Sequence, residues 1–170
     1  MILYKPLLSP DEIAFIQELS ARPATESTPP KCSQLDRWAL IIEDDGMVRS
    51  ELASAISRMG ILCWHAGNLA EARRRMLEEP PPSIVFLDLR LPDGNGMELL
   101  KDEGFQRWRR RNATQVVVIT GHGSAQLAEE ASGRGAFAFL RKPVSLRQLK
   151  EITQLSLVRQ DYENLQGQGK

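Results

Sequence analysis

Cysteine is scarce in this chain, with two among 170 residues. Cys32 lies in a polar, proline-containing stretch and Cys63 inside an apolar run, so neither a disulfide framework nor a cysteine metal site is expected, and a reducing cytoplasm fits. An excess of charge is also missing: Lys plus Arg and Asp plus Glu each number 22. Overall charge therefore argues neither for nor against a nucleic-acid partner. Long apolar runs are absent too. The stretch from Met1 to Leu8 is interrupted by Lys5 and Pro6 before it reaches signal-peptide length, and no window approaches a membrane span. What is present is the composition of an ordinary soluble domain, 42% hydrophobic and 26% charged, in a chain long enough for a single core with some room to spare.

Residues 1–36 differ from the rest. Ser9-Pro10-Asp11-Glu12 reads as a helix start, with Ser9 as N-cap, Pro10 at the first helical position and Glu12 three residues after the cap. Ile13, Ile16 and Leu19 give that helix one apolar stripe. Residues 23–33 hold three prolines among Ser, Thr and Lys, a linker composition. A short helix tethered ahead of a main domain is expected.

From Leu35 onward, strand-like and helix-like segments alternate five times. Ala39-Leu40-Ile41-Ile42 is a continuous apolar run, as in a strand covered on both faces, and residues 48–59 follow with helical spacing at Val48, Leu52, Ala55 and Met59. Residues 61–64 form the second strand, and 69–77 a helix ended by Pro80-Pro81-Pro82. Residues 84–87 form the third strand, followed by the turn-rich run Pro92-Asp93-Gly94-Asn95-Gly96 and a helix from about Met97 to Arg110. Residues 116–120 give the fourth strand, 125–132 the fourth helix, 136–140 the fifth strand, and a last helix starts near Ser145. This alternation predicts a doubly wound parallel α/β sheet with right-handed crossovers.

Four short runs sit at the ends of these strands: Glu43-Asp44-Asp45, Asp88, Thr120, and Lys142-Pro143. In an open parallel sheet, ligands bind beyond the carboxyl ends of the strands, where these groups would meet. Three carboxylates in one crevice repel unless a hard divalent cation neutralises them, and Mg2+ suits a site that combines carboxylates, water and phosphoryl oxygens. The Lys142 ammonium can pair first with a resting carboxylate and then with a transferred phosphoryl group. Phosphoryl transfer asks mainly for positioning and charge neutralisation, which this set offers.

The runs Ile41-Ile42-Glu43-Asp44-Asp45, Val85-Phe86-Leu87-Asp88-Leu89-Arg90-Leu91-Pro92-Asp93-Gly94-Asn95-Gly96, Val118-Ile119-Thr120-Gly121-His122-Gly123 and Gly135-Ala136-Phe137-Ala138-Phe139-Leu140-Arg141-Lys142-Pro143 resemble the CheY-like receiver domain of bacterial two-component response regulators, locally most similar to NtrC-like and RegA-like receivers. The resemblance spans residues 37–155, in order and spacing. It implies a flavodoxin-like (βα)5 fold with strand order 2-1-3-4-5, and Asp88 as acceptor of a phosphoryl group from the phosphohistidine of a histidine kinase or phosphotransfer protein. By position it implies Glu43, Asp44 and Asp88 as Mg2+ ligands together with the carbonyl of Arg90, Thr120 as switch hydroxyl, Phe139 as switch aromatic, Lys142 as the phosphate-pairing cation, and Pro143 after a cis peptide. Glu43 replaces the commoner Asp, and Phe139 lacks the hydroxyl of the commoner Tyr. Arg90 and His122 stand where they would modulate the lifetime of the phosphoryl group.

Other features read more plainly. His122 alone is a surface loop residue, and Cys63 a small core hydrophobe. Arg107-Trp108-Arg109-Arg110-Arg111 could be a nucleic-acid patch, but one patch without a recognition motif reads better as a solvated helix end whose charges complement the helix dipole. Past residue 155, Leu155, Val158, Tyr162 and Leu165 fall at alternating spacings of three and four, either the start of a coiled-coil seam or a single long helix whose end frays. The region 156–170 is expected as a helical extension that could form a homodimer with the preceding helix. The expected protein is cytoplasmic, not an enzyme with a separate effector, and without membrane contact. Its output would come through its own surface, since fewer than twenty residues follow Leu155. Two alternatives are a receiver cut from a longer DNA-binding transcription regulator, and a Mg2+-dependent phosphatase of haloacid-dehalogenase type. The latter needs a second Asp at the position of Arg90.

Overall fold

The computed structural model describes residues 2–4, 9–11, 13, 14 and 37–167. Its elements are β1 (Ile2–Tyr4), β2 (Trp38–Ile42), α1 (Gly46–Ser57), β3 (Leu62–Ala66), α2 (Leu69–Arg75), β4 (Ile84–Leu87), β5 (Arg90–Leu91), β6 (Gly94–Asn95), α3 (Gly96–Lys101), α4 (Glu103–Arg111), β7 (Gln115–Thr120), α5 (Ala125–Gly133), β8 (Ala138–Arg141) and α6 (Leu146–Gly167). Six strands make one sheet in the order β1-β8-β7-β4-β2-β3. The five from β2 to β8 run parallel, which reproduces the 2-1-3-4-5 order expected from the sequence.

Successive side chains of a strand point to opposite faces, and the uninterrupted apolar runs of the central strands supply both. Leu40, Ile42, Val85, Leu87, Val116, Val118 and Phe139 enter one core with residues of α2, α3, α4 and α5. Ala39, Ile41, Ile84, Phe86, Val117, Ile119, Ala138 and Leu140 enter the other, together with Ile56 of α1 and Leu149 and Ile152 of α6. Burial on both faces is what turns a hydrophobic run, rather than an alternating one, into a central strand.

The structure revises four expectations. First, β1 adds an antiparallel sixth strand at the β8 edge, with Ile2 opposite Leu140 and Tyr4 opposite Phe139; the 1–36 segment is therefore not wholly separate from the sheet. Second, the helix expected from Met97 to Arg110 is broken at Asp102, whose extended backbone (ψ 118°) ends α3 and caps α4. The Asp102 carboxylate accepts the Phe105 N–H at 2.8 Å and pairs with Arg73 at 2.9 Å, giving the break local partners. Third, the strand expected at 61–64 continues through His65 to Ala66, and the one expected at 136–140 is shifted to Ala138–Arg141.

Fourth, α6 is one continuous helix whose late turns are tied to the domain by polar groups. Ser156 and Gln160 are buried. Asp161 accepts two hydrogen bonds from Arg37, both at 2.9 Å, and Gln115 donates to Glu163 at 3.0 Å. Of the Leu155, Val158, Tyr162 and Leu165 stripe, Leu155 packs against the core on the α1 side of the sheet, Val158 and Tyr162 are partly buried, and Leu165 is 56% exposed. At the N-terminus, Pro10, Asp11, Ile13 and Ala14 are helical, and the Ile13 N–H donates to the Ser9 carbonyl at 3.0 Å, as expected of a helix begun at Ser9. Ile16, Leu19 and the 23–33 linker lie outside the described residues.

Candidate phosphorylation site

The strand registers bring the site together. Leu87 is paired with Ile42 on one side and Val118 on the other, so the next residues, Glu43, Asp88 and then Thr120, leave the sheet at the same end. The Asp88 N–H donates to the Ile42 carbonyl at 2.9 Å, and the Lys142 N–H to the Thr120 carbonyl at 3.0 Å. These backbone bonds extend the ladders just past the strands. They fix where the functional side chains emerge.

Lys142 is the centre of the resting arrangement. Its ammonium donates to Glu43 Oε2 at 2.5 Å and to Asp88 Oδ2 at 2.6 Å. Glu43 and Asp88 are both buried, while Lys142 keeps partial access to solvent. Burial pushes the Glu43 carboxyl above its ordinary range, and the bond from Lys142 offsets this only in part. Burial also acts to pull the Lys142 ammonium down, but its bonds to Asp88 and Glu43 outweigh that and hold it above the ordinary lysine value. The lysine therefore stays cationic at neutral pH.

Asp44 is exposed beside the pair, and oxygens of Glu43, Asp44 and Asp88 lie within 4.8 Å of one another. Three carboxylates and one ammonium leave about two negative charges, which a hard divalent cation such as Mg2+ would neutralise with all-oxygen donors. The donor set fits the ion expected from the sequence.

The loop after Asp88 is locked around it. Arg90 N–H donates to Asp88 Oδ1 at 3.2 Å, so both carboxylate oxygens have partners. The β5–β6 hairpin then turns the chain back, and the Gly96 N–H donates to the Leu89 carbonyl at 2.9 Å. A Cβ on Gly96 would overlap the Asp88 carbonyl oxygen, so the absence of a side chain is what allows this close return.

Thr120 and Phe139 are both fully buried, Phe139 within the core beneath α5. The Thr120 hydroxyl accepts the His122 N–H at 3.4 Å. The side chains of Arg90 and His122 are exposed. The Lys142-Pro143 peptide is cis. Of the residues expected from the sequence, the structure brings Glu43, Asp44, Asp88 and Lys142 together by their side chains.

Sequence reasoning missed the groups that brace them. Arg49 donates to the Glu43 carbonyl at 2.6 Å and so pins the acidic loop from α1. Asp45 caps α1 by accepting the Met47 and Val48 N–H groups. Asp93 accepts the Leu69 and Ala70 N–H groups at 2.8 and 2.9 Å, joining the Asp88 loop to the start of α2. An Asp ahead of a helical run signals a cap such as Asp45. Arg49 and Asp93 act across the fold and leave no local signal.

Residues 39–154 match the model of the response regulator receiver domain, over more than half of the chain. The chain belongs to the response regulator receiver family. Receivers with similar sequences include the response regulator PilR of Pseudomonas aeruginosa, 37% identical over 119 residues, a match covering 70% of this chain and 26% of PilR. The photosynthetic apparatus regulatory protein RegA of Cereibacter sphaeroides is 32% identical over 114 residues, covering 67% of this chain and 59% of RegA. Among solved structures, a beryllofluoride-activated NtrC4 receiver domain dimer superposes with a TM-score of 0.60 at 30% identity, covering 72% of this chain and 98% of that one. This receiver thus spans about a quarter of PilR and about three fifths of RegA. Among the described residues, no helix is long and apolar enough to cross a membrane.

Proposed function

We propose that this receiver accepts a phosphoryl group on Asp88 from the phosphohistidine of a sensor histidine kinase or phosphotransfer protein, and that it acts in the cytoplasm. The observation that carries this reading is the Lys142 ammonium lying between Glu43 and Asp88, with Arg90 N–H on the other Asp88 oxygen. In the transfer, a carboxylate oxygen of Asp88 forms a bond to phosphorus as the bond from phosphorus to the donor imidazole nitrogen breaks. The donor imidazole, protonated on its other ring nitrogen, keeps the electron pair of the broken bond and leaves as the neutral base. Glu43, Asp44, Asp88 and the Arg90 carbonyl would hold Mg2+, which supplies neutralisation of the charge on the phosphoryl oxygens. Lys142 exchanges its bond to Asp88 for one to the phosphoryl group without leaving the site.

Thr120 is the switch hydroxyl. A new charge-assisted hydrogen bond from it to a phosphoryl oxygen is worth about 1.5–3 kcal/mol. A full population shift takes roughly 5.5 kcal/mol, so Lys142 and the cation must contribute as well. Phe139, fully buried on the neighbouring strand opposite Val118, is the aromatic whose packing answers that movement.

The output is a change in protein contact, either with a downstream protein or as a homodimer through α5 and α6. The partly exposed Val158 and Tyr162 and the exposed Leu165 on α6 support the dimer. Similarity to a DNA-binding transcriptional regulator NtrC and a transcriptional regulatory protein PmrA, of which this chain covers 21% and 48%, supports the related reading that it serves as the receiver portion of a transcription regulator. No separate effector enzyme is required for either. Incubation with acetyl phosphate and Mg2+, followed by intact-mass measurement, tests the reading. Gain of one phosphoryl group that is lost in Asp88→Asn supports it, and an unmodified wild type contradicts it.

A further inference from the structure

The sixth strand has no counterpart in the alternating pattern of the domain. β1 pairs antiparallel with β8 and occupies what would otherwise be the open edge of the parallel sheet. Open edges present unpaired backbone N–H and C=O groups and invite pairing with another chain. Edges are usually blunted by charge, proline or a bulge. Ala138, Phe139 and Leu140 of β8 offer no charge and no proline, and only Arg141 at the end carries charge. The other defence is to cover the edge, and β1 covers it.

We propose that β1 is an intramolecular guard that keeps a second copy of this chain off the β8 edge. The antiparallel pairing of β1 shows that this edge accepts a strand in the opposite direction. Two β8 strands related by a two-fold axis run antiparallel, so a second copy meets the edge with the same hydrogen-bonding polarity. The guard is short, three residues with a register irregularity between Ile2 and Tyr4, and besides its ladder to β8 it lies against α5. In sequence, residues 5–37 separate it from β2. The strand it covers leads directly into Lys142, so edge and phosphorylation site share one strand.

The test uses the full chain carrying Leu3→Pro and Tyr4→Pro. Of any two consecutive residues in a strand one N–H faces the partner, so this pair of substitutions removes a bond to β8 whichever residue supplies it. Sedimentation equilibrium of the unphosphorylated proteins should show a monomeric wild type and a variant that reaches twice the mass. At dilutions where the variant is monomeric, its β8 amides should exchange about tenfold faster or more. A cooperative thermal melt checks that the variant folds. If it does not, a chain beginning at residue 9 replaces it, and a synthetic peptide of residues 1–8 should return that dimer to monomer. A variant that remains monomeric across the concentration range, or a wild type that is already dimeric, overturns the proposal. No phosphoryl group is involved, so this outcome is independent of the role of Asp88.

Discussion

Lys142 is held by two carboxylates that would otherwise repel each other, and this makes it a structural residue as well as a chemical one. In Lys142→Met, Glu43 and Asp88 are left as buried acids without a cation. Breaking a buried ion pair from one side costs roughly 3–5 kcal/mol, and the partial exposure of Lys142 puts the loss at or below the lower end. The melting temperature should fall. Added Mg2+ should recover more of it in the variant than in the wild type, since the cation takes over the neutralisation; equal gains would contradict that. Arg90 and His122 act differently, because their backbones touch the site while their side chains face solvent. Replacing either side chain by Ala should change the lifetime of phosphorylated Asp88, read as loss of the phosphoryl group with time, and leave the melting temperature nearly unchanged. Unchanged lifetimes in both variants would remove them from the chemistry. Glu43, Asp88, Thr120 and Lys142 were legible in the sequence for one physical reason: each follows an apolar strand, and strand ends on one edge of a parallel sheet converge. Arg49 was not legible, because its partner is a backbone carbonyl and any residue supplies one.

Helix α2 depends on a cap from another element. Asp93, in the turn between β5 and β6, accepts the first N–H groups of α2, and these bonds hold its carboxyl below the ordinary aspartate range. A carboxylate with a depressed folded value adds stability above its unfolded value and loses it as pH falls through the folded one. Asp93→Ala should therefore melt below the wild type at neutral pH. The gap should close as pH drops through and below about 4, the unfolded aspartate value. A gap that is constant with pH would assign the effect to something other than the carboxylate. Helix α6 shows the same dependence on distant partners. Arg37→Ala removes two bonds to Asp161 and should cost about 1–3 kcal/mol, with faster amide exchange confined to the turns after residue 156. Uniform exchange along α6 would contradict a local anchor. The apolar spacing at the end of α6 fits a seam or a single helix equally in sequence, because the partners that anchor it, Arg37 to Asp161 and Gln115 to Glu163, are distant in the chain. The break at Asp102 was hidden for a similar reason, since helical spacing continues across it while the side chain caps the next turn. At the N-terminus, Lys5 and Pro6 leave Met1 to Leu8 too short for a signal peptide, and a three-residue edge strand needs far less.

As a whole molecule the protein is a sheet with its chemistry at one end and its β1-covered edge beside that chemistry. β8 connects the two, carrying buried Phe139, running along β1 and delivering Lys142 to Asp88. The account rests on Asp88 being the acceptor in a cation-dependent site. The most direct measurement is the intact mass of the protein after incubation with acetyl phosphate, with Mg2+ and with excess chelator, in wild type and Asp88→Asn. One phosphoryl group gained by the wild type with Mg2+, and by neither the chelated sample nor the variant, is the predicted result. A gain that survives in Asp88→Asn, or none in the wild type with Mg2+ present, would contradict it.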